Sequence, residues 1–304
     1  MPLTSVIIPT HDRPQLLPRA VESARRAGTE IEIIVVDDGS TDETSAVCKS
    51  LQDIVYVRLD QRQGVGHART AGIAASSGRY ISFLDDDDAR MPGSIDRQLA
   101  ILEAAPDAGL VYGQIHRASQ TLAVNGRPPF PQACPSGDIF WTLIGSNILP
   151  SGSILVRRSA IDEVGGLFPE VAPADDWDLW LRITERHPVA VLPEPVSVYR
   201  EPTLWSKQGS SRIADGLLAA DFRVLQRCAT LPRVQANPRA FRRAIRRMKG
   251  SICLRLIAET VEAARRRDSY AFVTLRHLLS TPAAFVHAVM SPNAWKKLRA
   301  CFLS

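Results

Sequence analysis

Four consecutive carboxylates, Asp85-Asp86-Asp87-Asp88, follow directly on the apolar run Ile81-Ser82-Phe83-Leu84. Like charges this close repel and raise one another's pKa, and a partly dehydrated strand end worsens the repulsion unless a divalent metal or a strong cationic partner neutralises it. Oxygen-only ligands suit Mg2+ or Mn2+, and Mg2+ commonly sits between one or two carboxylates and the phosphates of a substrate. A solvated acidic loop is the plain alternative. Asp37-Asp38-Gly39-Ser40-Thr41-Asp42 holds more adjacent carboxylate than a helix cap requires, and a carboxylate in a crevice can accept from a nucleobase N–H. Gly64-Val65-Gly66-His67-Ala68-Arg69 precedes a helical pattern, so its backbone N–H groups can meet phosphate, with Arg69 either a phosphate partner or a surface arginine. The chain lacks GxGxxG after its first strand, which argues against NAD or FAD. Asp176 stands beside Trp177 and Trp180, which share one helix face. Those residues form either a capped amphipathic helix or a partly desolvated carboxylate of raised pKa suited to general-base work; Leu179, Leu181 and Ile183 read as core.

These groups need a scaffold that gathers them. Ser5–Ile8, Ile31–Val36, Ile54–Val57, Tyr80–Leu84 and Gly109–Tyr112 read as strands, with helices expected at about 14–27, 41–52, 67–77 and 93–104. Ser40-Thr41-Asp42-Glu43 reads as a capping box for the second helix, and Pro92 suits the first turn of the fourth. Such alternation predicts an α/β fold with a doubly wound, mostly parallel sheet. With strand order 3-2-1-4, the loops after strands one and four share the switch-point crevice where ligands bind. That places Pro9-Thr10-His11-Asp12-Arg13 beside the acidic run, with Asp37-Asp38 next to them. Beyond residue 113 the pattern is irregular, with a helix expected at 159–164 and another opening at Asp175; from about 206 the chain reads as helices.

Composition sets further bounds. The chain carries net charge +5, with 18 Lys and Arg against 27 Asp and Glu up to residue 206 and 19 against 5 beyond it. An acidic body with a basic tail points the tail at an anionic partner. Five scattered cysteines without a CxxC pair argue against a disulfide framework and a zinc site, and fit a reducing cytosol. The N-terminus has no signal-peptide pattern and no uncharged apolar run of about 18 residues appears, so the expectation is a protein neither exported nor spanning a membrane.

Ser5–Thr10, Val35–Asp42, Gly64–Gly72, Phe83–Asp88, Ser153–Arg158 and Asp175–Arg182 resemble, in order and spacing, the family 2 glycosyltransferases of the GT-A fold. The resemblance covers about residues 3–205. It implies inverting transfer of a sugar from a nucleotide-sugar, usually a UDP-sugar, to an acceptor hydroxyl. Pro9, Thr10 and His11 then correspond to the loop beneath base and ribose, with Arg13 also among the nucleotide-binding residues. Asp38 matches the acid that reads uracil, Arg69 a phosphate-side contact, and Asp86 a ribose neighbour. Asp85 and Asp87 fit the DxD pattern that binds Mn2+ or Mg2+, with Asp87 the stronger ligand and Asp88 structural. Asp176 matches the general base of the family's ED motif, and Asp175 replaces its glutamate. The sequence departs from the family in Thr70, where asparagine is frequent, and in Pro202, near the place of a histidine that often closes the metal site.

The expectation is therefore a GT-A catalytic domain over 1–205 and a basic helical region over 206–304. In the latter, Arg239, Arg242, Arg243, Arg246 and Arg247 fall on one helix face opposite Ala240, Phe241, Ala244, Ile245 and Met248. Such a face is either simply solvated or lies on anionic lipid, giving a cytoplasmic protein peripheral at the inner face of the membrane. Ala271–Met290 reads as a packed or interfacial helix. No nucleic-acid motif accompanies the charge. The implied work is extension of a lipid-linked or cell-surface polysaccharide precursor. The rival readings are a non-catalytic nucleotide-sugar-binding scaffold of the same fold and a nucleotidyltransferase.

Overall fold

A computed structural model of the chain describes residues 3–202 and 217–279. The expected alternation is present as β1 (Thr4–Thr10), α1 (Leu17–Arg25), β2 (Ile31–Asp37), α2 (Thr44–Ser50), β3 (Val55–Arg58), α3 (Val65–Ala75), β4 (Tyr80–Phe83), β5 (Ala89–Arg90), α4 (Ser94–Ala104) and β6 (Leu110–Ala118). After α5 (Phe140–Gly145) come β7 (Ile154–Arg157), α6 (Arg158–Glu163), α7 (Asp175–Arg186) and β8 (Val189–Arg200). The contacts divide the chain into two compact units, the first formed by Met1–Phe140 with Ile148–Glu201.

The first unit is built on an eight-stranded mixed sheet of order β3-β2-β1-β4-β7-β6-β8-β5. Its 3-2-1-4 half is parallel, as the sequence predicts, and Thr10 pairs with Asp37 while Ile7 pairs with Phe83. The loops after β1, β2 and β4 therefore leave the sheet side by side. Alternate side chains of β1 and β2 go to opposite faces. Val6, Ile8, Ile33 and Val35 pack with Leu17, Val21, Ile95 and Leu102 of α1 and α4. On the other face α3 lies close to Ile7 and Val36 because Gly72 has no side chain.

Three local expectations are corrected. The capping box does not form: α2 begins at Thr44, whose N–H donates to Asp42 Oδ1 at 2.9 Å, while the Ser40 hydroxyl accepts from the N–H of Asp12 at 3.0 Å. Pro92 precedes α4, which starts at Ser94 after Gly93 in a left-handed conformation. The region past residue 113 is more regular than its prolines suggest. β6 runs on to Ala118, β7 inserts antiparallel between β4 and β6, and β8 accommodates Pro193 and Pro195 where its register against β6 shifts.

Among the described residues, the second unit comprises Trp141–Asn147 and the helices α8 (Leu217–Cys228), α9 (Pro232–Ala236), α10 (Pro238–Arg265) and α11 (Tyr270–Leu279). Cys253, Leu256 and Leu278 centre its core, with Leu217, Leu218 and Ile257 packed against them. On α10 the five arginines from 239 to 247 are exposed, with Ala244 and Met248 buried, as the helical periodicity requires. Of the expected 271–290 segment, the part after Leu279 lies outside the described residues, as do 203–216. No described helix is long and apolar enough to cross a membrane.

The approach of α3 to the sheet generates a test. A Cβ on Gly72 would sit 2.3 Å from Ile7 Cγ2. Helix propensity alone favours alanine there by up to about 1 kcal/mol, but overpacking costs about 1–3 kcal/mol. Gly72→Ala is expected to lower the urea midpoint; an unchanged or raised midpoint would contradict the close packing.

Candidate active site

The acidic run forms a turn at the carboxyl end of β4, closed by the N–H of Asp88 donating to the Asp85 carbonyl at 3.1 Å. The turn folds the run so that oxygens of Asp85, Asp87 and Asp88 lie within 4.8 Å of one another. Asp86, Asp87 and Asp88 are buried and Asp85 is partly exposed. Like charges about 4 Å apart repel by about 4 kcal/mol at an effective dielectric near 20, so counter-charge is required. Three arginines supply it. Arg13 Nη1 donates to Asp86 at 2.8 Å and Asp87 at 3.1 Å, Arg200 Nη2 to Asp87 at 2.8 Å, and Arg69 Nη2 to Asp85 at 2.9 Å. The backbone N–H of Arg200 also donates to Asp88 at 2.8 Å.

Burial is the largest influence on two of the four acids. It raises Asp86 to about 6 despite Arg13 and the Thr10 hydroxyl, which donates to Asp86 at 2.8 Å. It also lifts Asp88 well above the ordinary carboxylate range, assisted by Asp85 and Asp87. Three clustered carboxylates at a strand end give a hard, oxygen-only donor set that fits Mg2+ or Mn2+. Asp88, which the sequence suggests is structural, is one of the three.

The β1 loop meets this run directly, whereas Asp38 and His11 form a neighbouring cluster. Pro9 and Thr10 are buried in β1, whose Thr10 carbonyl accepts from the N–H of Asp38 at 2.9 Å. Both Asp38 carboxylate oxygens accept backbone N–H groups, from Gln63 at 2.7 Å and Gly64 at 2.8 Å, which ties the loop before α3 to the end of β2. His11 Nδ1 donates to the Asp38 carbonyl at 2.9 Å. Asp37 is turned away into the scaffold, accepting from Ser40, Tyr56 and Arg58.

Arg69 joins the acidic turn to α7. It is only 4% exposed; its Nη1 donates to Asp175 at 2.9 Å while Nη2 holds Asp85, and its guanidinium lies 5.7 Å from the Phe83 ring centroid. Burial opposes its charge, yet Asp175 and Asp85 more than offset that and raise its pKa. Gly66 permits the reach: a Cβ there would lie 2.7 Å from Pro169 Cα, in the turn that leads into α7. Trp177, Leu179, Trp180, Leu181 and Ile183 are buried, with Trp180 6.1 Å from Phe83 between centroids. Asp175 is wholly buried and its Oδ1 has no hydrogen-bond partner. Asp176, next to it, is partly exposed, and burial raises its carboxyl to about 7 against the pull of Arg69 and with the push of Asp175.

Arg200 and Arg90 carry no local sequence signal. Arg200 reaches the run only because β8 pairs with β5, Ala89 opposite Val198. Arg90 is buried, which lowers its pKa to about 9; it donates to Ser82 Oγ, to Gln98 Oε1 at 2.9 Å and to the Ile154 carbonyl at 2.8 Å.

A doubly wound sheet whose switch point gathers an acidic turn and the Asp38 loop, with the Asp175-Asp176 pair tied to that turn through Arg69, has the architecture of the GT-A fold. The solved structure of Staphylococcus aureus TarS 1–349 in complex with UDP-GlcNAc has this fold, with TM-score 0.61 at 17% identity, covering 94% of this chain and 79% of that one. Residues 5–165, over half of the chain, match Glycosyl transferase family 2, and the chain belongs to that family. An uncharacterized glycosyltransferase of Haemophilus influenzae is 25% identical over 189 residues, 60% of this chain and 62% of the relative. The GalNAc(5)-diNAcBac-PP-undecaprenol beta-1,3-glucosyltransferase of Campylobacter jejuni is 39% identical over 101 residues, 31% of this chain and 33% of that one. The matches thus span less than two thirds of these curated relatives.

Arg69→Met would strand buried Asp175, a change that costs about 3–5 kcal/mol when a buried pair loses one member. Adding Asp175→Asn is expected to recover at least half of that loss in urea denaturation. Simple additivity of the two single losses would refute the coupling.

Proposed function

We propose that the protein is an inverting glycosyltransferase that moves a sugar from a UDP-sugar to the hydroxyl of a lipid-linked or cell-surface polysaccharide precursor. The observation that carries this reading is the Arg69 bridge, which sets the Asp175-Asp176 pair of α7 against the Asp85–Asp88 turn. A donor in the switch-point crevice then has both carboxylate groups beside it. The base and ribose rest on Pro9, Thr10 and His11, Asp38 accepts from the base, and Asp86 lies towards the ribose. Arg13 sits on the nucleotide side of the acidic turn, and Arg69 serves the phosphate side. Asp87 and Asp85, with Asp88 beside them, would hold a divalent cation, Mn2+ or Mg2+, which would supply positive charge to offset the leaving diphosphate.

Asp176 takes the proton from the acceptor hydroxyl as its oxygen attacks the anomeric carbon from the face opposite the diphosphate. Inversion follows from that single displacement. A carboxylate near 7 suits the task, being largely ionised just above neutrality yet basic enough to accept a proton. The UDP-sugar reading is supported by the TarS complex with UDP-GlcNAc, and the lipid-linked acceptor by the undecaprenol-linked substrate in the Campylobacter relative's name. The basic second unit supports peripheral contact with the inner face of the cell membrane.

With Mn2+ present, one member of a UDP-sugar panel is expected to release UDP in the presence of acceptor, and chelation is expected to stop it. Asp176→Asn should cut turnover by about 10²–10⁴-fold while donor binding persists. Binding without turnover by the wild-type protein across donors and acceptors would favour a scaffold instead. The sign of the pH dependence follows from the base. Below pH 7 Asp176 is increasingly protonated, so kcat should fall about tenfold per pH unit well below 7 and level off above it. A flat profile from pH 5 to 8 would remove Asp176 as the base.

A further inference from the structure

The basic face of α10 is not the only feature of the second unit that meets solvent. On α11, Tyr270, Thr274 and Leu278 are buried towards α10, where the Thr260 hydroxyl donates to Thr274 at 2.7 Å and Tyr270 donates to Glu259 at 2.8 Å. The opposite face carries Phe272, Leu275, Arg276 and Leu279, spaced i, i+3, i+4 and i+7 and therefore in one stripe. Phe272 is 77% exposed, Leu279 72% and Leu275 44%, the first two being the most exposed large apolar side chains among the described residues. Burial of such side chains away from water is worth enough that a stripe of them on one helix face marks a contact surface.

The charge around the stripe selects the partner. Arg267, in the turn that leads into α11, is exposed, as is Arg276 within the stripe. Every acid between 251 and 279 is already engaged. Glu259 accepts from Arg255 and Tyr270, Glu262 from Arg266, and Asp268 from the N–H of Tyr270. The stripe itself carries no acid. An apolar stripe that carries an arginine, preceded by another exposed arginine and free of acids, fits the headgroup boundary of an anionic bilayer.

We propose that α11 seats the protein on the membrane, with Phe272, Leu275 and Leu279 entering the boundary between headgroups and acyl chains while Arg276 and Arg267 pair with lipid phosphates. This rests on the peripheral-membrane reading above and assigns it to α11 rather than to the arginines of α10.

Flotation of the full chain with phosphatidylcholine vesicles, with and without anionic phosphatidylglycerol, tests it. The wild-type protein is expected to float with anionic vesicles and much less with neutral ones. Phe272→Ser with Leu279→Ser should weaken vesicle affinity at least about tenfold, given what burying two such side chains contributes. Arg242→Gln with Arg246→Gln should cost less than that pair. Equal flotation by the Phe272/Leu279 variant would overturn the assignment to α11 and leave peripheral binding to another surface. No flotation of the wild-type protein would overturn the peripheral reading itself. A changed oligomeric state or a lowered melting temperature of the Phe272/Leu279 variant without vesicles would show the stripe buried against protein, and would also overturn the proposal.

Discussion

The arrangement of the site depends on one buried cation. Arg69 projects from α3 between two carboxylates 90 positions apart in sequence, Asp85 and Asp175, at 2.9 Å from each. A buried guanidinium without partners is costly, and so is a buried carboxylate, so neither α3 nor α7 can move away without exposing the other to that cost. The planar fork of arginine can hold two carboxylates at once, which a lysine ammonium does with less geometric definition. The close contact at Gly66 and the packing of Trp180 near Phe83 hold the same elements by shape. Polar and apolar constraints thus converge on placing the α7 carboxylates beside the strand that carries the acidic turn.

The acidic turn extends the same logic. Four neighbouring carboxylates, three of them buried, are compatible with a folded structure because Arg13, Arg69 and Arg200 come to them from three separate elements. The turn is accordingly a junction as well as a candidate cation site: it connects the β1 loop, α3 and the end of β8. Asp38 has a comparable double character, since it fastens the Gln63-Gly64 backbone while standing beside the expected nucleotide loop. In both places the candidate binding groups are also the groups that fix the loops presenting them, an arrangement that favours preorganisation over rearrangement.

Much of this was legible in sequence. The short β-branched runs and their helical partners announce β1 to β4 in the observed order, and right-handed crossovers leave little freedom for the loops that follow them. The carboxylates stand out because charge density at strand ends has few structural uses. What stayed hidden is non-local. Arg200 is an isolated arginine until β8 pairs with β5, and β8 itself is masked by Pro193 and Pro195, which its register shift accommodates. The Ser40 hydroxyl answers to Asp12 across the crevice rather than to its own helix, so a local capping pattern misleads where a tertiary hydrogen bond wins. The membership of Trp141–Asn147 in the second unit likewise has no compositional mark.

In the proposed mechanism Asp176 is a base acting across the sugar from the diphosphate, which fixes the stereochemistry of transfer. The most direct measurement is proton NMR of the first transfer product formed from an α-linked UDP-sugar on an acceptor that supports turnover. A β-configured anomeric proton in the new glycosidic bond is the predicted result. An α-configured product would contradict it, because a single base-assisted displacement cannot retain the configuration at the anomeric carbon.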